Sequence, residues 1–199
     1  VIEALVGTGL ASAAGLNAYI PLLVVGLLAR YTELVPLSGG WEWLEHPVTL
    51  VVLGVLLVIE VVADKVPMVD HVNDVLQTVV RPTSGGIAFG AGAAAQTVDP
   101  TAATAADWGP VIAGVLIALA FHGLKAVGRA GVNAATMGAG APIVSTAEDG
   151  LSLGMALAAV LAPVLGLVLA LGTAAGLVVL WRRRRARRRA ERDRAAPPG

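Results

Sequence analysis

The chain contains no cysteine, which excludes a disulfide framework and any thiolate metal site. Aromatic residues fill only 4% of its 199 positions and charged residues 14%. A soluble domain carries about a quarter charged residues, so an ordinary water-soluble globule is excluded. No basic segment precedes the first apolar run, and Glu3 stands inside that run, so a cleaved signal peptide is not expected. Nucleophile elbows, zinc signatures and phosphate-binding loops are all missing. Neither an enzyme nor a cofactor is expected on that ground.

The residues that are present suit a membrane. Hydrophobic side chains make up 56% of the sequence and mean hydropathy is +0.78, which predicts one transmembrane domain over 1–181 and a basic tail over 182–199. A formal net charge of zero hides a division, because nine of the fourteen basic residues follow Trp181. Up to that point five bases face twelve acids, and an acidic body favours cationic ligands. The arginine tail is short and lacks interleaved aromatics. It reads as a cytoplasmic topology signal and an anchor to anionic membrane lipids, with no nucleic acid as partner.

Taken in order, residues 4–29 carry no charge. These twenty-six positions exceed the roughly 20 that a crossing helix needs, so a first span kinked near Asn17 and Pro21 is expected. Residues 31–46 mix Glu33, Glu42 and Glu45 with Tyr31, Trp41 and Trp43, the mixture of an interfacial loop. Residues 48–63 form a second span, and an amphipathic stretch follows over 69–80. A third, broken or re-entrant segment is expected over 82–98, where Pro82 precedes Gly86 and Gly90. Residues 110–125 give a fourth span, 130–147 a second broken segment, and 151–181 a last span kinked at Pro163.

Counting both broken segments gives about six spans with both termini cytoplasmic. That arrangement places Lys65, Arg81, Lys125 and Arg129 inside, with Glu33, Glu42, Glu45, Asp99, Asp107, Glu148 and Asp149 outside, as the positive-inside rule requires. The expected fold class is all-α, a polytopic helical protein of the cell inner (cytoplasmic) membrane, in three plus three spans compatible with an inverted repeat. Ala14-Gly15-Leu16-Asn17-Ala18 recurs as Ala130-Gly131-Val132-Asn133-Ala134, which raises the idea of duplication. Glycine-rich faces, Gly86 to Gly90 and Gly172 to Gly176, permit close helix contact and a homo-oligomer.

Charge crowds onto the end of the second span. Glu60 and Asp64 are four residues apart and share a helix face, and a carboxylate within a bilayer costs about 2.5 to 3.5 kcal/mol on insertion scales. His122, Lys125 and Arg129 repeat that spacing further on. Candidate ion or solute ligands are Asn17, Glu60, Asp64, Asn133, Glu148 and Asp149, with Lys65, His122 and Lys125 as countercharge or proton relay. Which metal, if any, is not specified by these residues. An alternative takes Arg81 and Arg129 with the other bases as a site for anionic lipid headgroups. A third reading is a scaffold in which pairs such as Asp64 or Asp74 with Arg81, or Lys125 with Glu148, only orient helices. Cation transport needs carboxylates that bases do not saturate, whereas lipid handling needs open bases beside a lateral groove.

Five motifs occur together: Gly15-Leu16-Asn17-Ala18-Tyr19-Ile20-Pro21, Glu60-x3-Asp64-Lys65-x-Pro67, Arg81-Pro82, His122-x2-Lys125-x3-Arg129 and Ser145-x2-Glu148-Asp149. As an ordered set over about residues 7–180, they resemble an uncharacterised bacterial membrane family, domain of unknown function 4126. That resemblance implies a membrane protein and no particular activity. The chain is also faintly similar to cation/proton exchangers of the lysine-exporter superfamily, six-span proteins with inverted repeats and a Glu-x-Gly-Asp-Lys motif. Here the two acids stand one residue further apart and Ala63 replaces the glycine, so the exchangers' metal site is not carried over.

Overall fold

A computed structural model describes residues 1–38, 40–64, 67–96, 108–137 and 139–195, with side chains described except at 67–72, 74, 133, 184 and 188–195. These residues form seven α-helices and one 3-10 turn (Glu42–Glu45), with no strand among the described residues. The helices are α1 (Ile2–Leu16), α2 (Ile20–Tyr31), α3 (Pro47–Ala63), α4 (Pro67–Ala94), α5 (Trp108–Thr136), α6 (Ala141–Leu161) and α7 (Pro163–Ala195). Three of them, α5, α6 and α7 as far as Arg187, contain stretches long and apolar enough to cross a membrane.

The expected first span is two short helices. α1 has 15 residues and α2 has 12, about 22 and 18 Å at 1.5 Å per residue, against a hydrocarbon core about 30 Å thick. Close contacts at glycine show how they run. Gly7 lies against Phe89, and Gly92 against Val6 and Leu10, while the Ser84 hydroxyl donates to the Ala18 carbonyl. α1 therefore descends antiparallel to α4. After α2, Trp41 packs on Gly90 and the Leu44 carbonyl on Gly26, so the chain has returned to the level where α1 began. α1 and α2 are a hairpin whose tip, Asn17 to Tyr19, lies partway along α4.

The reversal has a local cause. Asn17 is extended (φ −141°, ψ 126°), and its side-chain carbonyl accepts the backbone N–H of Tyr19 at 3.0 Å and of Ile20 at 3.1 Å. Those donors would otherwise be orphans at a helix start, and Pro21 sits in the first turn, where it lacks no needed donor. Asn17 thus ends one helix and caps the next, where a kink within one span was expected.

α1 has no open side below its first turns: every residue from Gly9 to Ala18 is buried, enclosed by α4, α5, α6 and α7. α3 is its opposite. Val48, Val51, Val55, Val58 and Val62 are more than half exposed, an apolar face suited to lipid and not to water.

Further expectations are corrected. α4 runs unbroken through Pro82, where Gly85 and Gly86 pack on Gly114, Val111 and Val115 of α5. Neighbouring helices can hold a proline-containing helix together in this way. Residues 130–147 are not a segment of their own. They end α5, turn at Met137 (φ 49°) and begin α6. The expected kink in 151–181 is a reversal at Ala162 (φ −150°, ψ 77°), after which Gly166 returns to Ala159 and Thr173 to Met155. Asn17 occupies a helix break and Asn133 a continuous helix, so the short recurrence around them does not mark equivalent structures. Gly9 lies beside Ala159 and Gly166. α1 therefore begins at the end of the bundle where α6 passes into α7, and α7 runs toward the opposite end.

Candidate functional site

Below the hairpin tip, α3, α4, α5 and α6 each contribute charged side chains to one buried cluster. α3 supplies Glu60 from its last turn and Asp64 as its C-terminal cap, and α4 supplies Arg81. α5 supplies His122, Lys125 and Arg129 from one face, and α6 supplies Glu148 and Asp149. Arg81, Glu60, Asp64 and Lys125 are at most 2% exposed. Ionisable groups this deep are retained only with partners, and each has them.

Arg81 Nη2 donates to Glu60 Oε1 at 2.9 Å and stands 4.0 Å from Asp64 Oδ2. Arg129 Nη1 lies 3.3 Å from the same Asp64 oxygen, while its Nη2 donates to the Asp64 backbone carbonyl at 3.1 Å. Lys125 Nζ is 3.1 Å from Glu148 Oε2 and 3.8 Å from Asp64 Oδ2. Asp64 therefore has all three bases within 4.0 Å, and its other oxygen accepts from Asn73 Nδ2 at 2.8 Å.

His122 joins this cluster through both ring nitrogens: Nδ1 lies 3.3 Å from Arg81 Nη1 and Nε2 lies 3.2 Å from Thr78 Oγ1.

The tip is tied to the same cluster by its polar groups. Lys125 donates to the Leu16 carbonyl at 2.7 Å, Asn17 Nδ2 donates to Asp149 Oδ1 at 2.9 Å, and Ser152 donates to the Ala13 carbonyl at 2.9 Å. The Leu16 and Ala18 carbonyls, which an uninterrupted helix would bond internally, are bonded by Lys125 of α5 and Ser84 of α4, while Ser152 of α6 adds a second bond to the Ala13 carbonyl, which already accepts the Asn17 N–H.

A family model matches residues 4–183. The chain belongs to the family described as a domain of unknown function, DUF4126. No curated protein and no solved structure matches, so membership of DUF4126 brings no activity with it. The similarity to cation exchangers has no counterpart among these comparisons.

Of the residues singled out in this DUF4126 chain, the structure brings Asn17, Glu60, Asp64, Arg81, His122, Lys125, Arg129, Glu148 and Asp149 together. Lys65 lies outside the described residues. Asn133 is on α5, one turn beyond Arg129, and its side chain is not described. Glu148 and Asp149 do not lie across the bundle from Glu60 and Asp64, because α6 starts at the end where α5 finishes. Of the anticipated ion pairs, Lys125 with Glu148 is close, Asp64 with Arg81 is at the 4.0 Å limit, and Asp74 with Arg81 lies outside the described side chains. Sequence reasoning missed Asn73, Gln77, Thr78, Ser84 and Ser152. Their signal was position alone: Asn73, Gln77, Arg81 and Ser84 follow one another at intervals of three and four, so they line one face of α4. Among the described residues no group of three or more His, Asp or Glu is placed to hold a metal ion.

Proposed function

We propose that this protein is an integral membrane transporter or exchanger of a small cation or small solute, working through the carboxylates beneath the hairpin tip. One observation carries the reading: backbone that leaves the helical ladder deep in the bundle is bonded to a buried ion cluster. Irregular backbone at membrane depth is tolerated where it is buried in protein or lines a cavity, and transporters place substrate and coupling-ion sites at such breaks. In this reading the Arg81–Glu60 and Lys125–Glu148 pairs are the closed resting arrangement. An arriving cation competes with a base for its carboxylate, and the tip follows because Lys125 and Asp149 hold it.

The matching membrane arrangement has five crossings, α3 to α7, with the α1–α2 hairpin entering and leaving on the side away from the tail. The arginines then lie in the cytoplasm of a cell whose inner membrane holds the protein, while Glu33, Glu42 and Glu45 lie outside, in keeping with the positive-inside rule. Flux of monovalent cations and protons into liposomes containing the purified chain tests the reading. Glu60→Gln and Asp64→Asn should each abolish flux while the protein remains folded, and wild-type flux in both would overturn the role given to the carboxylates.

A second reading, a membrane scaffold that transports nothing, is favoured by the saturation of the central acids: Glu60, Asp64 and Glu148 each have a base within 4.0 Å. The same assay separates the two, since a scaffold shows no flux before or after substitution. Lipid-headgroup handling has less support, because Arg81, Lys125 and Arg129 are buried and the open groove on α6 is lined by Pro142, Ile143, Thr146 and Ala147, none of them basic.

A further inference from the structure

α7 changes character at the point where it leaves the bundle. Leu177 still packs on α5, where a Cβ on Gly128 would stand 3.4 Å from Leu177 Cδ2. One turn later come Trp181, Arg182 and Arg183, all exposed, and the helix runs through them without a break. Residues 150–190 contain no acid. Among the described residues, Arg182, Arg183, Arg185 and Arg187 make no ion pair. Like charges three or four positions apart on a helix repel, so Arg182 with Arg185, and Arg183 with Arg187, are charges that the protein itself leaves uncompensated.

The face leading up to Arg182 is apolar. Counting back from Arg185 in steps of three and four gives Arg182, Val178, Ala175 and Leu171, one row along the helix. Leu171 is 61% exposed, Ala175 is exposed and Val178 half-buried. Leu171 and Arg182 are separated by about 16 Å at 1.5 Å per residue, about the depth of one leaflet in a hydrocarbon core about 30 Å thick. Trp181 stands at the top of this row, and indole rings settle at the level of lipid headgroups. The Arg185 guanidinium lies over that ring, 5.3 Å from its centre, drawn back one turn toward the apolar row. A soluble anion or a nucleic acid would use the arginines alone. A phospholipid uses both the arginines and the row beneath them.

We propose that Trp181, Arg182 and Arg185, with the row from Leu171 to Val178, bind an anionic phospholipid of the leaflet on the tail side. The two guanidinium groups take the headgroup phosphate, whose oxygens their planar forks match, and an acyl chain lies along the row. This surface is separate from the buried bases Arg81, Lys125 and Arg129, and it stands whether or not the protein transports anything.

Native mass spectrometry of the purified full-length chain in a neutral detergent, titrated with dioleoylphosphatidylglycerol or dioleoylphosphatidylcholine, tests the proposal. The phosphatidylglycerol adduct should form at about tenfold lower lipid concentration, because the cation of choline is repelled by the arginines. Arg182→Gln combined with Arg185→Gln should bring the two lipids to within about twofold of each other. Arg183→Gln combined with Arg187→Gln removes the same charge from another side of the helix and should keep most of the preference. If the first double variant fails to fold, Arg182→Lys with Arg185→Lys, which keeps the charge and loses the forks, should show a smaller loss in the same direction. Inorganic phosphate and glycerophosphoglycerol, the headgroup without its chains, should not displace the lipid at millimolar concentration. The proposal is overturned if the two lipids bind alike, if both glutamine double variants lose the preference equally, or if inorganic phosphate, glycerophosphoglycerol or a short single-stranded RNA displaces phosphatidylglycerol.

Discussion

Arg81 is the residue on which the buried charge turns. It is 0% exposed, donates to Glu60 and to His122, and reaches toward Asp64. Removing one member of such a pair strands the other charge at a cost of about 3 to 5 kcal/mol, whereas replacing both by apolar groups of similar volume is often neutral. Arg81→Met should therefore lower the unfolding free energy in detergent by about that amount, and Arg81→Met combined with Glu60→Met should recover most of it. A double variant no more stable than the single one would show that the pair is not the dominant partner. At this scale the sequence was informative, because a charge in an apolar run is conspicuous: Glu60, Asp64, Lys125 and Arg129 were all visible as candidates. Gln77, Ser84 and Ser152 were not, since an uncharged polar residue on a helix can face solvent, lipid or core with nothing in its identity to say which.

Elements are where the sequence misled most, and the reason is physical. Hydropathy measures how much apolar chain there is and carries no direction. Residues 4–29 and 151–181 each read as one span, yet each contains a reversal, at Asn17 and at Ala162. What turns the chain at Asn17 is its pairing with Asp149, 132 positions away, and with the first donors of α2. The same dependence on partners kept α4 intact where Pro82 suggested a break. Glycine packing offers a test of the docked hairpin. A Cβ on Gly15 would stand 2.5 Å from Phe121 Cβ and 2.6 Å from the Ala118 carbonyl, whereas one on Gly172 would meet nothing within 4 Å. Gly15→Val is expected to cost about 1 to 3 kcal/mol of stability through overpacking, and Gly172→Val less than about 0.5 kcal/mol. Equal thermal unfolding of the two variants would mean that the tip is not seated against α5.

For the whole molecule, the absence of cysteine makes sidedness directly measurable. Single cysteines at Ile2 and Glu42 should react with an impermeant maleimide from one side of the membrane, and cysteines at Ala139 and Ala186 only from the other. Labelling of Ile2 from the tail side would show that α1 crosses instead of turning back. All-helical character was legible in the sequence, and three helices are long and apolar enough to cross a membrane, while the course of the N-terminal helices was not legible, because it depends on counting reversals that composition does not register. The enclosed position of α1 also bears on biogenesis. Nascent chains emerge N-terminus first, and a half-length apolar helix with no lipid-facing side is a poor substrate for independent insertion. α1 has to wait for its walls: α4, α5 and α6 are synthesised after it, and only when Asp149 and Lys125 arrive can the waiting loop be locked in place.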